Sequence, residues 1–339
     1  MKGKQAILGH LGPYPIALRY VDGVLDDVLV PDMVAPALGS IYRGIVDRPQ
    51  KGMGGVMVKL PDGAMGFLRG AKGLTPGDVL TVQMSGYAEP GKAVPLTARP
   101  LFKSRYVIVT PHAPGVNVSR QIRDEDIRDA LQVAGKASIS DNGFGLIFRS
   151  AAAAAEMDDV LDDLDTMMAR ADAVMAETGK TPELLLEGDD PHVLAWREWA
   201  DVTHVLTGPD DLDQTGALDD LVSLTGAEAP LPHGSLFIEP TRALVAVDVN
   251  TGPHTALDAN LDAIHDLPRH LRLRGLGGQI TVDLAPVMKR DRKLLETKIK
   301  SALRGCPVET EFVGWTPLGH IELKRKRERA PVAPILKGL

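Results

Sequence analysis

Short apolar runs broken by glycine and proline dominate the first hundred positions, and such runs predict strands. Ala17-Leu18-Arg19-Tyr20-Val21 and Gly23-Val24-Leu25 meet at a Val-Asp-Gly turn, a hairpin signal. Residues 41–46, 55–60, 66–68 and 79–84 form four more runs, separated by turns at 51–55, 61–63 and 74–77. Short strands at this spacing predict a small closed barrel of the OB type, whose loops and one sheet face commonly bind oligonucleotides. Residues 106–110 read as a buried strand ended by Pro111. A helix follows over 124 to about 134, then a strand over 145–149. Met157, Val160, Leu161, Leu164, Met168 and Ala171 recur at helical spacing and predict one long helix over 151–177, with its Asp pairs facing solvent. Beyond 181, strands at 184–186, 203–206, 235–239, 243–250 and 279–284 interleave with helices over 256–273 and 291–303. Pro268 interrupts the first of these helices, so a kink or early end is expected there. Strands over 309–313 and 319–323 complete the pattern.

The 339 residues suffice for two or three domains. At 44% hydrophobic and 24% charged, the composition is that of a globular protein. No apolar run reaches the roughly 18–20 residues of a membrane span, and no signal peptide is visible at the N-terminus, so a cytoplasmic location is expected. The single cysteine, Cys306, excludes an internal disulfide framework and a multi-Cys zinc site within the chain. Aromatics at 4% argue against long stacking platforms. The net charge of −7 hides an asymmetry. Residues 151–230 carry 20 acidic and 3 basic side chains, leaving the rest of the chain at +10. Such segregation permits polyanion binding on one face, although a charge run is more often a solvated surface.

The chemistry concentrates near the C-terminus. The apolar run 244–247 delivers Asp248, with Asn250 two residues on, and 280–282 delivers Asp283. Residues i and i+2 of a strand share a face, so Asp248 and Asn250 can share a target. If the two strands are neighbours, about 4.8 Å apart, Asp283 can join them. Two carboxylates and an amide oxygen suit a hard divalent cation such as Mg²⁺, which keeps waters for reaction and stabilises charge on a phosphate. An Asp after a strand is also a common helix cap or turn residue, and spacing alone leaves both readings open. Basic runs at 269–274, 289–293 and 324–329 can neutralise phosphates, while an Arg at a helix end also serves the helix dipole.

These segments resemble the ribonuclease E/G family. Ile238-Glu239-Pro240-Thr241-Arg242-Ala243-Leu244-Val245-Ala246-Val247-Asp248-Val249-Asn250-Thr251-Gly252 is similar to the family segment around its catalytic A-I-D-V-N-S-G. Asn260-Leu261-Asp262-Ala263 and Leu271-Arg272-Leu273-Arg274-Gly275-Leu276-Gly277-Gly278-Gln279-Ile280-Thr281-Val282-Asp283 resemble a second block in the same order and spacing. Weaker similarity spans most of the chain. The resemblance implies an α+β multidomain protein with RNase H-like and DNase I-like units and an inserted OB-fold barrel. The implied boundaries are 1–35 plus 190–234 for the RNase H-like unit, 36–98 for the barrel, 99–189 for a 5′-sensor-like unit and 235–339 for the DNase I-like catalytic unit.

It further implies Mg²⁺-dependent endonucleolytic cleavage of single-stranded RNA, leaving a 5′-phosphate on the downstream product, with Mn²⁺ as the substitute ion. Asp248 and Asp283 match the metal-holding carboxylates and Asn250 the residue that assists them. Phe67, Arg43, Lys92 and Arg120 are the implied RNA contacts. Arg149 and Ser150 match the pair that holds a 5′-monophosphate. Four departures stand out. Met57 replaces a stacking aromatic, Ser104 a sensor glycine, and Glu309 a sensor arginine. The family's Cys-Pro-x-Cys link is missing after Arg329, so neither a structural zinc nor a zinc-bridged dimer is expected. Two alternatives stay open: an RNA-binding protein that keeps the fold without turnover, and a metal-dependent phosphatase acting on a small phosphate ester. Cleavage by Asp248→Asn and Asp283→Asn separates the first, and RNA affinity after Phe67→Ala with Lys92→Ala separates the second.

Overall fold

The computed structural model describes residues 3–33, 37–50, 52–89, 91–139 and 143–337 of a mixed α+β protein. Lys51 of the predicted 51–55 turn and the expected boundary at residues 35 and 36 lie outside the described residues. The chain divides into two compact units, one of Met1–Val34 with Val202–Leu339, the other of Ala35–Asp201. The first unit opens on β1 (Lys4–Leu11), β2 (Tyr14–Val21) and β3 (Val24–Leu29), consecutive antiparallel strands joined by the expected hairpin turn at Asp22 and Gly23.

The second unit begins with β4 (Ile41–Gln50), β5 (Gly55–Lys59), β6 (Met65–Arg69), β7 (Val79–Met84) and β8 (Val94–Thr97). They pair in the order β4-β5-β6-β8-β7, and β7 pairs back onto β4, so the described strands close a five-stranded barrel. Closure removes the sheet edges that would otherwise expose unpaired backbone. Val46, Val56, Val58, Leu68, Val82 and Leu96 fill the interior. Next come β9 (Phe102–Lys103), β10 (Val107–Thr110), β11 (Gly115–Val118), α1 (Glu125–Ser138), β12 (Gly145–Phe148), α2 (Met157–Met175), β13 (Glu183–Leu186) and α3 (Pro191–Glu198). The sheet β11-β12-β10-β9 shares a core with α1 and α2 through Val107, Val109, Leu131, Leu146, Phe148 and Leu164.

The long helix expected over 151–177 is divided. Residues Ser150–Ala154 form a 3-10 turn, Glu156 is extended, and α2 starts at Met157. The alanine run permits a helix without requiring one. Asp158 and Asp159 then complement the dipole in the first turn of α2.

The chain returns to the first unit through β14 (His204–Leu206), which adds to β1 in parallel, followed by α4 (Asp211–Gln214) and α5 (Ala217–Ser223). The remaining elements are β15 (Glu228–Leu231), β16 (Gly234–Pro240), β17 (Val245–Asn250), α6 (Ala256–Leu273), β18 (Gly278–Asp283), α7 (Arg292–Arg304), β19 (Thr310–Trp315), β20 (Ile321–Arg325) and α8 (Ala333–Leu336). Their sheet runs β15-β16-β17-β18-β20-β19. One face, including Leu236, Ile238, Val247, Ile280, Val282 and Leu323, packs with Ala263, Ile264, Leu267 and Leu271 of α6 and Leu295 and Ile299 of α7. The helix does not end at Pro268, as one of the two expectations had it; Pro268 lies within α6. Proline in a helix costs about 3 kcal/mol. Burial of Ile264, Leu267 and Leu271 on either side of it, at about 1.5–3 kcal/mol each, outweighs that loss.

The basic runs divide between surface and interior: Lys289, Arg290, Lys293, Lys324 and Lys326 are exposed, and other members turn into the fold. Arg272, Arg274 and Arg325 are each under 10% exposed. Arg272 bonds to the Asp26 carboxylate (2.8 Å) and lies 3.4 Å from Asp27, while Arg325 donates to the Leu276 carbonyl and the Thr310 hydroxyl. His270 sits among them; burial first, then the positive Arg269 and Arg274, push its pKa down to about 3, so its ring is neutral. Among the described residues no helix is long and apolar enough to cross a membrane.

Candidate active site

The helices cover one face of the β15–β20 sheet, and along β17 and β18 side chains alternate between that face and the opposite one. Val247, Val249 and Val282 point into the core, so Asp248, Asn250 and Asp283 project from the opposite face and are exposed. β17 and β18 run parallel with Asp248 directly opposite Asp283. Adjacent strands lie about 4.8 Å apart, which brings two negative side chains side by side. Phe237 of β16 pairs with Asp248 on the other flank, so the row across this face reads Phe237, Asp248, Asp283. The Asn250 amide donates to Asp248 Oδ2 at 3.1 Å. Gly234, at φ +113°, opens β16 against the end of β17; a Cβ there would fall 2.0 Å from the Asn250 carbonyl oxygen, so only glycine lets the backbones meet.

Among the described residues no three His, Cys, Asp or Glu side chains converge as a metal cage. The donor set is two opposed carboxylates. That suits Mg²⁺, which retains waters and is usually held by one or two carboxylates together with substrate phosphate.

Two features of this end of the sheet are absent from the sequence reading. His320, immediately before β20, places Nε2 3.4 Å from Asp283 Oδ1. His233, in the β15–β16 turn, places Nδ1 2.9 Å from Asp262 and packs edge-on against His254, ring centroids 5.0 Å apart. A sequence signal existed for His320 alone: a histidine after a Pro-Leu-Gly turn, opening a strand. Its partner depends on strand order, which the sequence does not display.

The remaining residues singled out in the sequence lie in the second unit. Phe67 is half-buried on β6, directly opposite Met57 of β5. Lys92 is exposed and ion-paired with Glu89. Arg120 is exposed in the turn after β11. Arg43 is a correction: its side chain is 4% exposed, bonded to Glu183 at 2.6 Å and Glu177 at 3.0 Å, so it is an internal cation rather than an RNA contact. Ser150 is exposed at the start of the 3-10 turn. Arg149 donates to the Ser104 carbonyl (2.6 Å), the Arg197 carbonyl (3.2 Å) and the Glu198 carboxylate (2.6 Å). Burial raises the pKa of Glu198, but Arg197 and Arg149 outweigh it and hold the carboxyl below its usual range. In the first unit, Glu309 is paired with Lys326 at 2.6 Å.

Fold and site together define a mixed α+β protein with a closed five-stranded barrel and an acidic pair on an open sheet face. The chain belongs to the ribonuclease E/G family, whose sequence model matches residues 102–207 and 211–328. It is 28% identical to ribonuclease E of Nostoc sp. over 86% of this chain and 51% of that protein. It is 26% identical to ribonuclease G of Salmonella typhimurium over 97% of this chain and 81% of that protein. Ribonuclease E of Synechocystis sp. is 26% identical over 88% of this chain and 51% of its own length. The chain thus spans about half of these ribonuclease E relatives and about four fifths of the ribonuclease G relative.

Proposed function

We propose that the protein is an endoribonuclease that hydrolyses phosphodiester bonds in single-stranded RNA. The observation that carries this reading is the register that sets Asp248 against Asp283 on adjacent parallel strands, with Asn250 holding one oxygen of Asp248. Asp248 and Asp283 would hold the Mg²⁺ ion. A bound Mg²⁺ supplies charge neutralisation at the phosphate and a lowered pKa for the attacking water. Asn250 fixes the Asp248 carboxylate through Oδ2, so that the other oxygen stays free to hold the ion. The new bond joins a water oxygen to phosphorus and the broken bond releases the 3′-oxygen, which leaves a 5′-phosphate on the downstream fragment. Phe67 offers a ring to an unstacked base, an interaction worth about 1–3 kcal/mol per base, and Lys92 and Arg120 offer charge to the backbone. Residues 1–35 with 190–234, which hold β1–β3 and β14, are read as the RNase H-like unit, and residues 235–339, which hold β17, β18, β19 and β20, as the DNase I-like unit.

The test is cleavage of a labelled single-stranded RNA with metal withdrawn and restored. Activity is expected to vanish in EDTA and return with Mg²⁺ or Mn²⁺, with product 5′ ends that a phosphate-dependent exonuclease degrades. Undiminished cleavage in EDTA, or 5′-hydroxyl products, would overturn the reading. RNA binding without cleavage at any metal concentration would make the chain a non-catalytic binder.

The Glu198 contact yields a second expectation. An ionised carboxylate already occupies Arg149, and an incoming phosphate must displace it. Wild-type protein is therefore expected to cleave 5′-phosphorylated and 5′-hydroxyl oligonucleotides at rates within about twofold. Glu198→Gln, which keeps the shape and removes the charge, is expected to raise the preference for the phosphorylated form. A strong preference in the wild type, unchanged by Glu198→Gln, would show that phosphate binds without competing for Arg149.

A further inference from the structure

We propose that His320 is a positioning residue for the Asp283 carboxylate, the counterpart of Asn250 at Asp248. The inference rests on the metal-site reading above and adds a residue which that reading does not need. Asp248 and Asp283 differ in their surroundings but share one pattern. Asn250 holds Oδ2 of Asp248 at 3.1 Å, and His320 Nε2 lies 3.4 Å from Oδ1 of Asp283. Each carboxylate thus has a neighbouring nitrogen beside one oxygen, and the other oxygen is left for an ion.

The need for such a partner is greater at Asp283. Its side chain is 60% exposed at the last position of β18, so burial does little to select its rotamer. His320 is 28% exposed and sits on a built support. Val282 is paired with Ile321, so the next residue along β18 falls beside the preceding residue of β20, on the same face of the sheet. The turn that delivers the imidazole is closed by three bonds. Thr316 N–H donates to the His320 carbonyl (2.9 Å), His320 N–H donates to the Thr316 hydroxyl (3.1 Å), and Gly319 N–H donates to the Thr316 carbonyl (3.0 Å). The Arg292 guanidinium lies over the Trp315 ring, 5.1 Å from its centroid, and close to Gly319, which braces the same turn from the side of α7. With the proton on Nε2, the ring turns its N–H toward Oδ1 at ion-pair distance, and Oδ2 faces no imidazole. Groups that orient metal-ligating carboxylates in this way typically change metal affinity or activity by 10–100-fold when removed.

The experiment is Mn²⁺ binding to the full chain without RNA, read from the electron paramagnetic resonance signal of free Mn²⁺. Wild type is compared with Asp283→Asn, His320→Leu, His320→Ala and His320→Gln, alongside melting curves. Asp283→Asn should abolish binding, and its loss confirms that the ion is held where the reading places it. His320→Leu and His320→Ala should weaken Mn²⁺ binding by about 10–100-fold. His320→Gln should stay within about threefold of wild type, because its amide N–H can replace the imidazole donor. Wild-type affinity in both His320→Leu and His320→Ala, with Asp283→Asn inactive in binding, would overturn the positioning role and leave the metal site standing. Loss in His320→Gln as large as in His320→Leu would also overturn it, by making the ring itself a ligand. Unchanged binding in Asp283→Asn would instead overturn the metal-site reading.

Discussion

Asp283→Asn is expected to lower RNA hydrolysis by about a thousandfold or more in kcat/KM, roughly 4 kcal/mol of transition-state stabilisation, while the protein melts no lower than wild type. The two halves of this expectation have one cause. In the absence of an ion, Asp248 and Asp283 face each other across neighbouring strands, both negative and both on the open face. Like charges directly opposite in a sheet destabilise it by a few tenths to about 1 kcal/mol. Removing one charge relieves that repulsion and removes the reason for it, so activity falls as stability holds or rises. Asp248→Asn should behave alike in cleavage. Its stability gain should be smaller, because the Asn250 amide already bonds to one of the Asp248 oxygens. The measurement is single-turnover cleavage at saturating Mg²⁺ beside thermal unfolding in EDTA. A variant that keeps wild-type cleavage removes Asp283 from the chemistry; one that loses cleavage and melts well below wild type assigns the residue to the fold.

The strands bearing these carboxylates were legible in the sequence because each is an apolar run ending in Asp, a pattern that survives any tertiary context. The pairing of Asp248 with Asp283 was legible only as a condition, since register is fixed by the whole sheet and by the helices on its covered face. The expected RNA contact at Arg43 failed for a definite reason. Its partners Glu177 and Glu183 lie 134 and 140 positions away, beyond any local pattern. Arg149 is held by Glu198, 49 positions on. Both sets of partners come from the acidic stretch 151–230, where a solvated face is the ordinary expectation. Part of that stretch instead supplies counter-charge to arginines of the same unit while staying exposed or half-exposed: Glu177 and Glu183 serve Arg43, Glu198 serves Arg149, and Asp189 serves Arg197. Composition registered the excess of acid correctly but could not say which carboxylates meet an arginine.

The largest stability effect is expected at Asp27, a residue with no part in the chemistry. Its carboxylate is 2% exposed as a residue and lies between two cations, Arg329 at 3.0 Å and Arg272 at 3.4 Å. Removing one member of a buried ionic set typically costs about 3–5 kcal/mol, because the partners stay desolvated without their charge. Domains of ordinary size hold only about 5–15 kcal/mol in all. Asp27→Ala should therefore sharply destabilise the contact between β3 and α6. Asp26→Ala should cost about 1 kcal/mol: Asp26 is more exposed, and its backbone carbonyl, which takes Arg272 at 2.6 Å, survives the substitution. The same loss reaches the C-terminus. Arg329 leads into Ala330, Val332 and Ile335, all buried, and Ala330 packs so closely on Gly275 that a Cβ there would lie 2.0 Å from its carbonyl oxygen. Once Arg329 loses its carboxylate, residues 330–337 should open to protease ahead of the rest of the chain. Amide exchange along α6, with limited proteolysis in parallel, reads both effects. If Asp27→Ala protects α6 within about 1 kcal/mol of wild type, the ionic set does not hold these elements together.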